Sequence, residues 1–109
     1  MRKKLLFVCT ANRFRSKIAE DIFNQDLHFE VKSAGTDVFA KTQINKSLLE
    51  WADYIFVMEE IHRSIIHYKY PTGYNNKRII CLDIHDIYDY KNPELANITK
   101  TKIDNSLAI

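Results

Sequence analysis

Glycine, proline and cysteine occur only twice each in these 109 residues, and each scarcity excludes something. So little glycine and proline rules out collagen-like and low-complexity chains. The two cysteines, Cys9 and Cys81, are too few for a disulfide scaffold. Long apolar runs are missing as well. After Met1-Arg2-Lys3-Lys4 the stretch Leu5-Leu6-Phe7-Val8 gives way to Cys9-Thr10, shorter than a signal-peptide core and far shorter than a membrane span. Charge of one sign does not dominate either. A net charge of +2 gives no argument for a nucleic-acid or membrane partner. A soluble cytoplasmic protein is expected, with residues 1–109 forming one domain.

What is present is an ordinary globular balance, 46% hydrophobic and 28% charged. Leu5–Val8, Ile55–Met58 and Ile79–Leu82 are unbroken apolar runs, as strands buried on both faces require. Phe29-Glu30-Val31-Lys32 alternates and suits an edge strand with one wet face. Between the strands, Ile18, Ala19, Ile22 and Phe23 recur at helical spacing. Asn45 to Trp51 and Glu59 to Tyr68 predict two more helices. A last helix is expected to start at Asn92-Pro93-Glu94-Leu95, with Leu95, Ile98, Ile103 and Leu107 facing inward. Strands alternating with helices imply an α/β fold: one three-layer domain, with a four-stranded parallel sheet and helices on both faces. Ligands of such sheets bind beyond the carboxyl ends of the strands. That rule selects the loops Cys9 to Arg15, Ser33 to Asn45 and Asp83 to Lys91.

The first of these loops carries the chemistry. Cys9-Thr10-Ala11-Asn12-Arg13-Phe14-Arg15-Ser16 joins a buried strand to a helix. The backbone N–H groups from Thr10 through Phe14, with the helix N-terminus, suit a phosphate. The same field favours thiolate over thiol at Cys9 and makes it a nucleophile. Arg15 adds a planar fork able to hold two phosphate oxygens. Ser16 is placed to hydrogen-bond the sulfur and ease its later departure. Taken alone, a cysteine is more often a small buried hydrophobe, and the arginines could be surface charge. The position between a buried strand and a helix is what gives the spacing weight.

The chain resembles the low-molecular-weight protein tyrosine phosphatase family, in its short bacterial branch. The resemblance rests on Val8 to Ser16, Ser33-Ala34-Gly35-Thr36, Trp51 to Met58 and Leu82-Asp83-Ile84-His85-Asp86. It implies a phosphocysteine mechanism without metal or cofactor, carried by Cys9, Arg15, Ser16 and an aspartate. It also implies that Asn12 and Ser33 brace the loop. Asp86 aligns with the family's general acid, with Asp83 as its nearest competitor. Where Phe14 stands the family often has a second cysteine, so a protective disulfide within the loop is not expected.

Other positions carry competing readings. Phe39 and Tyr88 are candidate walls for an aromatic substrate, with simple packing as the alternative. His62 is expected on a solvated helix face away from the pocket, and Cys81 in a buried strand as a structural thiol. The histidines and cysteines show no metal-ligand spacing. The expected activity is hydrolysis of phosphate monoesters, on a phosphotyrosine protein or a small aryl phosphate, by a monomer. The alternatives are a phosphocysteine phosphocarrier and a phosphate- or phosphotyrosine-binding module with little catalysis. Arsenate reduction would need further thiols to pass electrons onward.

Overall fold

A computed structural model describes residues 2–12, 15–71, 78–84 and 93–107. The elements run β1 (Lys3–Cys9), α1 (Arg15–Phe23), β2 (Phe29–Gly35), α2 (Lys46–Trp51), β3 (Tyr54–Val57), α3 (Glu60–Lys69), β4 (Arg78–Cys81) and α4 (Pro93–Leu107). The four strands form one parallel sheet in the order β2-β1-β3-β4. This is the expected α/β architecture, with the alternating strand β2 on the edge.

Strand β1 lies inside the sheet and its side chains alternate between two cores, the period-2 consequence of a pleated strand. Leu5, Phe7 and Cys9 face one side, where they pack with Ile18, Ala19 and Phe23 of α1 and Leu95 and Ile103 of α4. Leu6 and Val8 face the other, against Leu49 of α2 and Ile66 of α3. Phe7 stacks on Phe56 of β3 with ring centroids 5.4 Å apart. The nucleophile candidate is therefore the last residue of the most deeply buried strand. Its placement is fixed by both cores.

The helices begin where local chemistry predicts. The Asn45 side chain accepts the Leu48 N–H at the head of α2, so Asn45 caps the helix and Lys46 is its first residue. Pro93 opens α4, where its missing N–H costs nothing. The buried stripe of α4 runs Leu95, Thr99, Ile103, with Ile98 and Leu107 only partly buried. Helical steps of four place Thr99, not Ile98, on the line between the two apolar residues. No helix among the described residues is long and apolar enough to cross a membrane.

The connection from β2 to α2 lies against the loop after β1. Thr36 N–H donates to Cys9 O, Asp37 N–H to Thr10 O, and Lys41 N–H to Ala11 O, at 2.9, 3.0 and 3.1 Å. Gly35 allows the approach. A Cβ there would lie 2.4 Å from Thr10 O and 2.6 Å from the Ala40 Cβ.

Candidate active site

Strand β1 delivers Cys9 to the carboxyl edge of the sheet, and α1 begins six residues later at Arg15. The turn between them closes through Asn12, whose φ of 54° puts it in the left-handed region that asparagine tolerates better than most residues. This folds the Asn12 N–H back onto Cys9 Sγ at 3.2 Å. Ser16, in the first turn of α1, places Oγ 2.9 Å from the same sulfur and donates to Asn12 Oδ1 at 2.7 Å. A serine has one hydroxyl proton, so it cannot serve both partners at once. With the thiol protonated, S–H donates to Ser16 and Ser16 to Asn12. With a thiolate, the Ser16 proton can turn to the sulfur. The relay therefore has an arrangement for each protonation state of Cys9, which is itself 3% exposed.

Arg15 is 5% exposed, and its charge is met inside the protein. Its Nη1 pairs with Glu59 Oε1 and also donates to the backbone oxygen of Ile84 at 2.9 Å. One terminal nitrogen thus anchors the guanidinium to the ends of β3 and β4. The N–H groups of Nε and Nη2 make no hydrogen bond among the described residues.

Glu59 and His62 were not among the expected site residues, and for His62 the expectation is corrected. His62 is fully buried, not solvated. Its Nδ1 accepts the Glu59 N–H at 3.1 Å, and its Nε2 lies 3.0 Å from Thr10 Oγ1. Because Nδ1 is an acceptor, the neutral ring carries its proton on Nε2 and donates it to Thr10. Burial, and next the Arg15 guanidinium, push the imidazole down to about 4, against an opposing pull from Glu59. A neutral histidine thus ties α3 to the loop beside Cys9. The signal lay in strand order. With β3 adjacent to β1, the β3–α3 junction at Met58-Glu59-Glu60-Ile61-His62 has to sit beside the Cys9 loop.

The remaining expected residues are distributed as follows. Ser33 is buried, and its hydroxyl donates to Glu20 Oε1 of α1 at 2.8 Å, so its bond runs to the helix after the loop. Phe39 is 84% exposed on the connection that lies against Thr10 and Ala11. Asp83 takes a φ of 54°, and its backbone oxygen accepts from Lys102 Nζ at 3.0 Å. Cys81 is half-buried where full burial was expected, because it ends the edge strand β4; burial still pushes its thiol up. Arg13, Phe14, His85, Asp86 and Tyr88 lie outside the described residues. Among those described, no three histidine, cysteine or carboxylate side chains gather as a metal site would require.

Residues 4–42, which span β1, the Cys9 loop, α1 and β2, match the model of the low molecular weight phosphotyrosine protein phosphatase family. No curated protein matches the sequence. Solved structures share the fold over nearly the whole chain. A protein tyrosine phosphatase from Entamoeba histolytica is 22% identical with a TM-score of 0.75, covering 97% of this chain and 94% of its own. The tyrosine phosphatase Wzb from Escherichia coli, solved with phosphate, is 19% identical with a TM-score of 0.74, covering 97% and 96%. The YwlE arginine phosphatase from Geobacillus stearothermophilus is 23% identical with a TM-score of 0.71, covering 97% and 93%. The family resemblance read from the sequence is borne out, both in the matched segment and in the fold.

Proposed function

We propose that this chain, which shares the loop segment and the fold of the low molecular weight phosphotyrosine protein phosphatases, is a cysteine-dependent phosphatase. The observation that carries the reading is the sulfur's setting. Cys9 Sγ is held by the Asn12 N–H and Ser16 Oγ, and the buried Arg15 opens the helix that follows, its Nε and Nη2 making no hydrogen bond among the described residues. In the first step Cys9 attacks phosphorus, the S–P bond forms, and the ester P–O bond breaks. Arg15, through Nε and Nη2, and the loop amides hold the equatorial oxygens as charge builds there. Asp86 gives its proton to the departing oxygen and then takes one from the water that cleaves the phosphocysteine. Ser16 donates to the sulfur as it leaves. No step needs a metal or a cofactor.

Phosphotyrosine on protein is the substrate class, with Phe39 and Tyr88 as aromatic neighbours of the bound ring, in a monomeric cytoplasmic enzyme. A phosphocarrier would need neither the anchored guanidinium nor a leaving-group acid. The deciding experiment is turnover of p-nitrophenyl phosphate by purified protein in the presence of a chelator, with Cys9→Ser as control. Release of phosphate by the natural sequence and none by the variant supports the reading. Equal rates for the two would sink it.

A further inference from the structure

Beside the Cys9 loop lies a second hollow, a cavity of about 230 Å³ lined by Asn12, Lys17, Lys32, Ser33, Lys41 and Thr42, with Glu20 at its side. Three ammonium groups meet one carboxylate there. That carboxylate is already engaged, by Lys17 and by the Ser33 hydroxyl. Lys41 makes no ion pair among the described residues. Lys32 has only the face of Trp51, 4.6 Å from its Nζ, which leaves its charge uncompensated by any described carboxylate. The hollow therefore presents uncompensated positive charge in a recess that also offers neutral hydrogen-bonding groups.

Its position relates it to the site already described. Asn12 belongs to both places: its N–H bonds Cys9 Sγ, and the same residue lines the hollow. Lys41 is held against the loop by its own N–H bond to Ala11 O. At the other end Lys32 also lines a hollow of about 410 Å³ along the outer edge of β2, with Trp51 and with Glu30, whose charge is met by Arg2. The hollow thus adjoins the Cys9 loop through Asn12 and the outer hollow through Lys32. A single free anion would fill only part of it.

We propose that this hollow is a substrate subsite for an anionic side chain, a carboxylate or a second phosphate, close in sequence to the phosphorylated residue. Lys32 and Lys41 supply the pairing charge and set a preference for acidic phosphopeptides. The inference rests on the phosphatase reading, because it takes the peptide's position from the phosphate over Cys9.

Binding to the Cys9→Ser protein tests it without requiring turnover. Two fluorescent phosphotyrosyl peptides are compared by anisotropy, identical except that glutamates flanking the phosphotyrosine are replaced by glutamine in one. The acidic peptide is expected to bind roughly three- to tenfold more tightly at low salt, two exposed charge pairs being worth about that much. The ratio should fall toward one as salt rises. Adding Lys32→Gln and Lys41→Gln should abolish the ratio at low salt. Adding Lys3→Gln and Lys69→Gln, which removes the same charge from the opposite end of the sheet, should leave it. Equal binding of the two peptides overturns the subsite, and so does a ratio that survives the Lys32/Lys41 change. Collapse of the ratio in the Lys3/Lys69 protein overturns it too, because the preference would then come from net charge. Saturation by free sulfate with no difference between the peptides assigns the hollow to small anions and rejects the proposal. The phosphatase reading stands or falls separately, on p-nitrophenyl phosphate and the natural sequence.

Discussion

Arg15 reaches Glu59 and the Ile84 oxygen through one nitrogen, so its plane is set before any phosphate arrives. Lysine at this position would keep the charge and lose the fork. Arg15→Lys should therefore cut turnover of p-nitrophenyl phosphate by roughly 10²–10³-fold, the usual cost of removing a preorganised donor. Glu59→Gln keeps an acceptor for the guanidinium but not the charge. Its expected loss is smaller, around tenfold, with a lowered thermal midpoint, because the buried guanidinium loses its counter-charge. A normal rate for Arg15→Lys would mean that another cation holds the phosphate. Asp86 is tested by leaving group: Asp86→Asn should slow phenyl phosphate by about 10²–10⁴-fold and p-nitrophenyl phosphate much less, since that phenolate hardly needs a proton. A uniform effect on both substrates would move the acid elsewhere, with Asp83→Asn the next variant to measure. At this scale the grouping of Cys9, Arg15 and Ser16 was legible because all three bracket one loop. Glu59 and His62 were not, because their partners are about 44 and 52 positions away in sequence. On α3 the apolar pattern also misleads, with Ile61 largely exposed and His62 in the buried slot a periodic reading reserves for aliphatic residues.

Elements hold the site by backbone contacts as much as by side chains. The close approach of the β2–α2 connection to the Cys9 loop depends on Gly35, where a methyl group would meet both Thr10 O and Ala40. Gly35→Ala should therefore lower stability by about 1–3 kcal/mol, as overpacking does, and reduce turnover through displacement of Thr10 and Asn12. Urea unfolding and p-nitrophenyl phosphate kinetics on the same preparation check both effects. Unchanged stability would show that the connection can move aside at little cost. The strands and helices themselves were readable, since each apolar run is short and each helix has its own cap or periodicity. Their lateral order was not. An alternating strand–helix pattern fits several parallel orders, and it is the placing of β3 beside β1 that brings the start of α3 to Cys9.

For the molecule as a whole, the buried imidazole makes stability depend on mild acid. His62 is held down to about 4 in the folded protein, below the ordinary 6.5 of the unfolded chain. The unfolded state therefore binds this proton more readily. The contribution of the neutral ring is complete above about pH 6.5 and is lost as pH falls from there toward 4, with a slope of up to about 1.4 kcal/mol per pH unit. Urea midpoints measured at pH 7, 6 and 5 should decline, and His62→Gln should flatten that decline while lowering stability at pH 7. An equally steep decline in the variant would assign it to other groups.

The three bonds that fasten residues 36–41 to the Cys9 loop run from main chain to main chain, and such bonds are indifferent to which side chains are attached. Positions 38, 39 and 41 all point outward from this stitched frame, exposed to solvent. They can be exchanged without disturbing the turn that carries the sulfur. This edge of the Cys9 loop is thus an interchangeable part on a fixed mount. A randomised set at these three positions should return many folded, reactive proteins that differ chiefly in which phosphorylated partner they prefer.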